Sequence, residues 1–367
     1  MMHESDTTTR DYPVLYDYYP ELQEHLSWMQ LGTLPTPVHR LTRFSHENLW
    51  IKRDDQTSTI YGGNKVRKLE FLLADAVRRK KSEVFTLGGI GTNHGLATAI
   101  FSQRLGLPCT LYLFSQPVTR YVLQNLRLFH RYGARMIYRG GMLRTGLSFY
   151  LSQLLRRSAY AIYAGGSNPV GTLGFVNAVF ELRNQIEANM LPEPEYIICP
   201  FGSGGTLAGM CLGIKLAGLR SQVIGVRVAY SHLGPLQLST PQTVRTLMEK
   251  TYAFLKDNAE SVPAVEIVPP KIIHDYFGEG YGHPTPEGIE ALQLFKEREN
   301  IKLEPTYTAK TGAALLDFVQ KVPQGACILY WHTYNSVDLS KEAAGVDYHD
   351  LPRSFHRFFE SGDRSLD

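Results

Sequence analysis

The sequence predicts an α/β protein built from two closely packed domains. Short β-rich runs alternate with helical patterns along most of the chain, which is how a parallel sheet covered by helices reads. A chain of 367 residues can bury a large core, and the length suits two domains better than one. Hydrophobic residues at 43% and charged residues at 20% are the proportions of an ordinary globular protein.

Strands are expected at Val84–Leu87, Thr110–Phe114, Ala134–Tyr138, Tyr160–Tyr163, Tyr196–Pro200, Val223–Val228 and Cys327–Trp331. Between them, Val66–Arg79 reads as a helix because Leu69, Leu72, Leu73 and Ala76 fall on one face. Another helix should open at Thr285-Pro286-Glu287, with Thr285 as N-cap and Pro286 in the first turn. A third should start near Leu207. The N-terminal stretch carries Tyr12, Pro13, Tyr16, Tyr18, Tyr19 and Pro20, and is expected to wrap a surface instead of forming a separate unit.

Composition narrows the function classes. The formal net charge is only +3, so the bulk balance gives no footprint for nucleic acid. The densest basic run, Arg78-Arg79-Lys80-Lys81, falls at an expected helix end, where cations complement the dipole. The four cysteines (Cys109, Cys199, Cys211, Cys327) form no CxxC pair and read as buried, reduced thiols, with no metal site. The opening MMHESDTTTRDYP lacks a signal-peptide pattern, and no apolar run approaches membrane-spanning length. The expectation is a soluble, cytoplasmic enzyme with neither a nucleic-acid nor a membrane partner.

Three glycine-bearing segments carry the chemistry. In the first, Lys52-Arg53-Asp54-Asp55 is followed by Gly62-Gly63-Asn64-Lys65-Val66-Arg67-Lys68. The glycines permit a tight turn and close approach to a ligand, and Lys65 stands at the head of an amphipathic helix. The positive helix end lowers the pKa of a lysine there, favouring the neutral amine that forms a Schiff base. Taken alone, GGNK reads better as a solvent-exposed lysine. The second segment, Gly202-Ser203-Gly204-Gly205-Thr206, lies between a strand and a helix and suits a single phosphate group. It lacks the Walker lysine and the GxGxxG spacing, and no acidic ribose partner follows, so a dinucleotide-binding oxidoreductase ranks low. Such turns also arise for steric reasons. The third, Gly88-Gly89-Ile90-Gly91-Thr92-Asn93-His94, offers a hydroxyl, an amide and an imidazole to a carboxylate or a cofactor oxygen. Thr92 or Asn93 serving only as an N-cap is an equally good reading.

In combination, these segments resemble the family of 1-aminocyclopropane-1-carboxylate (ACC) deaminases and D-cysteine desulfhydrases. That family belongs to the tryptophan-synthase-β-like (fold type II) pyridoxal phosphate enzymes. Further matches are Gly165-Gly166-Ser167-Asn168-Pro169-Val170-Gly171, Gly280-Tyr281-Gly282, Pro305-Thr306-Tyr307-Thr308-Ala309-Lys310 and His332-Thr333. The resemblance implies two open twisted α/β domains with pyridoxal 5′-phosphate in the cleft between them. Residues 69–175 would form a smaller inserted domain, and 1–68 with 176–367 the larger one. It also implies a homodimer acting on a small amino acid.

Residue by residue, the resemblance assigns Lys65 the Schiff base and the movement of the α-proton. It gives Lys68 and Gly202, Ser203, Gly204, Gly205 and Thr206 the phosphate, and Asn93 the phenolic oxygen. Thr92, Asn93 and His94 would grip the substrate carboxylate, with Tyr281 and Tyr307 near the substrate. Thr308 stands where ACC deaminases place a glutamate near the pyridine nitrogen, and Thr333 follows the desulfhydrase-like pattern. A hydroxyl suits a neutral ring, a weaker electron sink, which favours expulsion of a β-substituent. The implied reaction is β-elimination from D-cysteine or a relative, with ACC ring opening and non-catalytic binding as alternatives. Gly91, Thr92, Tyr334 and Asn335 depart from the family pattern, each touching the substrate side more than the cofactor side.

Overall fold

The computed structural model describes residues 10–360; the first nine, where part of the signal-peptide reading falls, lie outside the described residues. Its strands in chain order are β1 (Val38–Arg40), β2 (Leu49–Arg53), β3 (Glu83–Gly89), β4 (Cys109–Phe114), β5 (Arg135–Gly140), β6 (Ala159–Ile162), β7 (Tyr196–Phe201), β8 (Gln222–Arg227), the hairpin β9 (His232–Leu233) and β10 (Leu236–Gln237), β11 (Lys271–Ile273) and β12 (Ile328–His332). They build a four-stranded sheet ordered β5-β4-β3-β6 and a six-stranded sheet ordered β1-β2-β12-β7-β8-β11. The smaller sheet is parallel throughout. The larger is parallel except where β1 runs against β2. All of the smaller sheet lies within 69–175, and all of the larger outside it.

The seven expected strands are present with ends displaced by a residue or two. β1, β2 and β11 escaped notice because they are short and because Lys52 and Arg53 interrupt the apolar run of β2. Helix Lys65–Arg78 buries Leu69, Leu72, Leu73 and Ala76 as its periodicity requires. Thr285 caps helix Pro286–Glu299, its hydroxyl accepting the Gly288 N–H at 3.1 Å. The N-terminal stretch wraps the larger half: Leu15 and Leu22 are fully buried, and the Leu15 N–H donates to Asn177 at 2.9 Å.

The stretch from Leu339 to Phe355 packs across the expected domain division. Placed with the larger domain by the sequence reading, it instead buries Leu339, Ala343, Leu351 and Phe355 in the cluster of Val122, Leu126 and Phe129 on helix Arg120–Arg131. Its apolar residues need an apolar partner, and that helix offers one on the smaller half. All four cysteines are free; burial pushes the Cys109 thiol up to about 12. Among the described residues no helix is long and apolar enough to cross a membrane.

Candidate active site

A cavity of about 750 Å³ lies where the loops after β2, β3, β7 and β12 meet, so both sheets contribute their C-terminal strand ends to it. This is the usual ligand position in open parallel sheets. Its floor is the loop before helix Lys65–Arg78. The Gly62 N–H donates to Asn335 Oδ1 at 2.7 Å, the Gly63 N–H to the Asp54 carbonyl at 2.8 Å, and the Asn64 N–H to the Thr333 carbonyl at 3.1 Å. Gly63 has φ +94°, and a Cβ at Gly62 would lie 2.0 Å from the Asp55 carbonyl oxygen, so neither position tolerates a side chain. The Asn335 departure therefore has a structural role: its amide pins the glycine turn that launches Lys65.

The Lys65 ammonium donates to Asn64 Oδ1 at 2.6 Å, and the Asn64 amide donates to Thr206 Oγ1 at 3.0 Å. One asparagine thus links the amine to the glycine loop after β7. Withdrawal from bulk water lowers the Lys65 pKa to about 8, against an opposing pull from the Glu304 carboxylate. Lys68, one turn on, reaches the Gly165 carbonyl at 2.9 Å, and burial together with the Lys65 charge drives its pKa well down. Ser167 accepts the Gly205 N–H at 3.0 Å and lies 2.8 Å from the Ser203 hydroxyl. A Cβ at Gly205 would sit 2.7 Å from Ser167 Oγ and 2.9 Å from Lys68 Nζ. Helix Gly205–Leu216 opens there without a side-chain cap. Glycine at this position lets two hydroxyls and a lysine close in on the backbone donors of the loop, and together they make an anion cradle.

On the opposite side, Thr92 caps helix Asn93–Arg104 by accepting the Gly95 N–H at 3.2 Å while also lining the cavity. The cap and ligand readings are therefore compatible. Asn93 Oδ1 accepts from Asn125 at 3.3 Å. His94 lies deeper, its ring 3.1 Å from the Thr86 hydroxyl; burial and the two lysine charges hold it neutral. A neutral ring brings no charge to a substrate carboxylate. The Tyr281 and Tyr307 hydroxyls are 2.6 Å apart, and burial raises both pKa values. Both stay protonated, so one hydrogen joins the pair and the other is free to donate outward. Lys310 ties the Tyr281 loop to helix Thr308–Phe318 through the Phe277 and Gly280 carbonyls at 2.6 and 3.2 Å.

Glu304, which the sequence reading missed, organises this wall. Its buried carboxylate accepts the N–H groups of Thr306, Tyr307 and Thr308 at 2.9, 2.7 and 2.8 Å, fixing the backbone that presents Tyr307. The signal was a carboxylate four residues ahead of a helix start. Thr308 Oγ1 accepts the Glu304 N–H at 2.8 Å and lies 3.3 Å from its carboxylate. Tyr61, Asn64 and Ser167 also went unflagged, whereas Thr308, Thr333 and Tyr334 line the cavity.

Behind the same helix lies a dry ion network. Arg67 forks onto Asp54 (2.8 and 2.9 Å) and Glu181 (both 2.9 Å), Trp331 donates to Asp54 at 2.7 Å, and Lys52 pairs with Glu181. Burial alone would raise the Glu181 pKa, but Arg67 and Lys52 hold it at about 2.

A buried amine, an anion cradle and a tyrosine pair around one cavity fit pyridoxal 5′-phosphate. The chain matches the family described as pyridoxal-phosphate dependent enzyme over residues 29–333, and it belongs to that family. It is 32% identical over 314 residues to a Thermotoga maritima protein described as "Putative 1-aminocyclopropane-1-carboxylate deaminase", covering 83% of this chain and 95% of that one. A crystal structure of an ACC deaminase homologue superposes with a TM-score of 0.74 at 28% identity, covering 91% of this chain and 99% of the other. A threonine deaminase from T.th. shares the fold at a TM-score of 0.59 and 21% identity, covering 89% and 98%. The fold is that of the fold type II pyridoxal phosphate enzymes, and the chain is an enzyme of the ACC deaminase/desulfhydrase kind.

Proposed function

We propose that the chain catalyses β-elimination from a β-substituted α-amino acid, D-cysteine or a relative, releasing an α-keto acid, ammonia and the leaving group. The observation that carries this reading is the Lys65 amine, lowered to about 8, in one cavity with the phosphate cradle and the tyrosine pair. The bound cofactor supplies the electron sink that makes the Cα–H acidic. Lys68, Ser167 and Gly202–Thr206 would hold its phosphate, and Asn93 would hydrogen-bond its phenolic oxygen. Thr92 and Asn93 orient the substrate carboxylate, with neutral His94 behind them. Lys65 Nζ takes the proton from Cα and returns it to the departing sulfur. Its pKa of about 8 is close to that of a thiol, roughly 8.5, so the return of the proton to sulfur is not steeply uphill. Tyr307, with a pKa well above 10, acts as a hydrogen-bond donor.

Ring opening of ACC is a second reading. The name of the Thermotoga relative favours it, as does the Glu304 carboxylate 3.3 Å behind the Thr308 hydroxyl, which restores a negative charge that threonine itself lacks. Purified protein should show the absorbance band of lysine-bound cofactor, and Lys65→Ala should abolish both the band and turnover. A screen of D-cysteine, β-chloro-D-alanine, D-serine, L-serine and ACC separates the readings. Pyruvate marks elimination, whereas 2-oxobutyrate from ACC alone marks ring opening. Cofactor binding with no turnover of any amino acid would refute both.

A further inference from the structure

The cavity is larger than its inner chemistry requires. At about 750 Å³ it falls within the range of roughly 300–1,000 Å³ that drug-sized ligands fill. Its charged lining residues, Lys65, Lys68 and Glu304, belong to the inner end with the cradle and tyrosines. The outer end is walled by Leu143, Leu147 and Tyr150 on one side and by Tyr230, Leu233 and Leu236 on the other.

Both walls are anchored, so their exposed side chains are presented and not merely loose. Helix Met142–Leu155 turns Thr145 and Phe149 inward, where Phe149 packs on Phe85 and the Thr145 hydroxyl bonds the Gly141 carbonyl at 3.0 Å. Leu143, Leu147 and Tyr150 then share the opposite stripe at helical spacing. The hairpin β9–β10 is tied to the phosphate loop itself, because Ser239 Oγ donates to the Gly202 carbonyl at 2.7 Å. Leu147 is 62% exposed and Leu236 54%. Clustered leucines this bare, continuous with a ligand cavity, mark a surface awaiting an apolar group.

We propose that this outer lobe is a subsite for an apolar side chain of the substrate, and that the substrate class is S-substituted cysteines whose sulfur carries an uncharged alkyl or aryl group. The substrate class rests on the elimination reading above; the subsite itself does not. An S-substituted cysteine and one water give pyruvate, ammonium and a free thiol. The Cα–H and Cβ–S bonds break, the Cβ–S electron pair leaves on sulfur, and sulfur takes up the proton lost from Cα. Water then replaces the amino group, and no oxidant or reductant is needed. The lack of charge at the outer end selects against an ionised substituent, whose desolvation nothing there would offset.

The test titrates the cofactor-loaded protein with cysteine and its S-methyl, S-propyl, S-benzyl and S-carboxymethyl derivatives, in both enantiomers, and reads the shift in cofactor absorbance. Half-saturation should fall about fourfold for each methylene buried. S-carboxymethylcysteine should bind at least tenfold more weakly than S-propylcysteine. Leu147→Gln and Leu236→Gln, both at exposed positions, should lower the S-benzyl to cysteine affinity ratio about tenfold. Affinity that is flat or falls with substituent size, equal binding of the carboxymethyl compound, or an unchanged ratio in both variants would overturn the subsite. Pyruvate and thiol release are assayed separately. Apolar selectivity with pyruvate release supports the whole proposal. Selectivity without pyruvate supports the subsite and overturns elimination, together with the substrate class that rests on it.

Discussion

The two faces of helix Lys65–Arg78 handle positive charge in opposite ways. On the cavity face, the Lys65 and Lys68 ammonium groups donate to an amide oxygen and a carbonyl and form no ion pair among the described residues, and burial lowers both pKa values. On the other face, Arg67 is saturated by Asp54, Glu181 and Thr36, all of them buried. The difference fits the proposed roles. Arg67 finds its counter-ions within the fold, whereas Lys65, two residues before it, and Lys68, one after, would meet theirs in the cofactor. The paired face would then hold the helix in place and the unpaired face the cofactor.

Breaking the paired face should have the largest effect on stability. Arg67→Ala strands two buried carboxylates with Lys52 as their remaining cation, a change that costs about 3–5 kcal/mol. Urea denaturation of the purified variant measures it. A loss below about 1 kcal/mol would mean that water or Lys52 compensates, and the contrast between the faces would fall. Arg67→Lys keeps the charge without the planar fork and should recover only part of the loss. On the unpaired face, Lys68→Gln should leave urea stability nearly unchanged while weakening cofactor binding about 10- to 100-fold, the worth of one hydrogen bond to a charged group. Equilibrium dialysis of pyridoxal phosphate distinguishes this from a general loss of folding.

The two faces were not equally legible in the sequence. Lys65 and Lys68 became legible through the combination of glycine motifs that carries the family resemblance, since GGNK alone reads as a solvent-exposed lysine. Seven strands of the sheets were visible by themselves, their apolar runs being local. Arg67 sits in the same motif as the lysines but has no local signal, since Asp54 meets it only once the chain after β2 folds back and Glu181 lies 114 residues away on helix Pro169–Glu187. Glu304 and Asn335 were hidden for a related reason: each acts on backbone N–H groups, which no residue type advertises. The departures read as substrate-side changes were thus only partly that. Asn335 supports the turn carrying Lys65, while Tyr334 does line the cavity.

The smallest expected effect sharpens the contrast most, because it asks which charges change with pH. Arg67 stays charged, and Glu181 at about 2 stays ionised, so that pair exchanges no proton between pH 6 and 9. Lys65 at about 8 does. Only the neutral amine attacks an aldehyde, and below the pKa its fraction falls tenfold per pH unit. The rate of cofactor capture by apoprotein should therefore drop about tenfold from pH 7 to pH 6 and level off above pH 9, followed by stopped-flow absorbance. Glu304 raises the Lys65 pKa by stabilising the ammonium, so Glu304→Gln should move the inflection to lower pH and speed capture at pH 7. With its oxygen at the Oε1 position, the glutamine still accepts the Tyr307 and Thr308 N–H groups and loses only the bond from Thr306, which keeps most of the Tyr307 turn in place. An inflection that stays put in Glu304→Gln would show that the carboxylate does not act on the amine, and that Glu304 serves the cavity only through the backbone it holds.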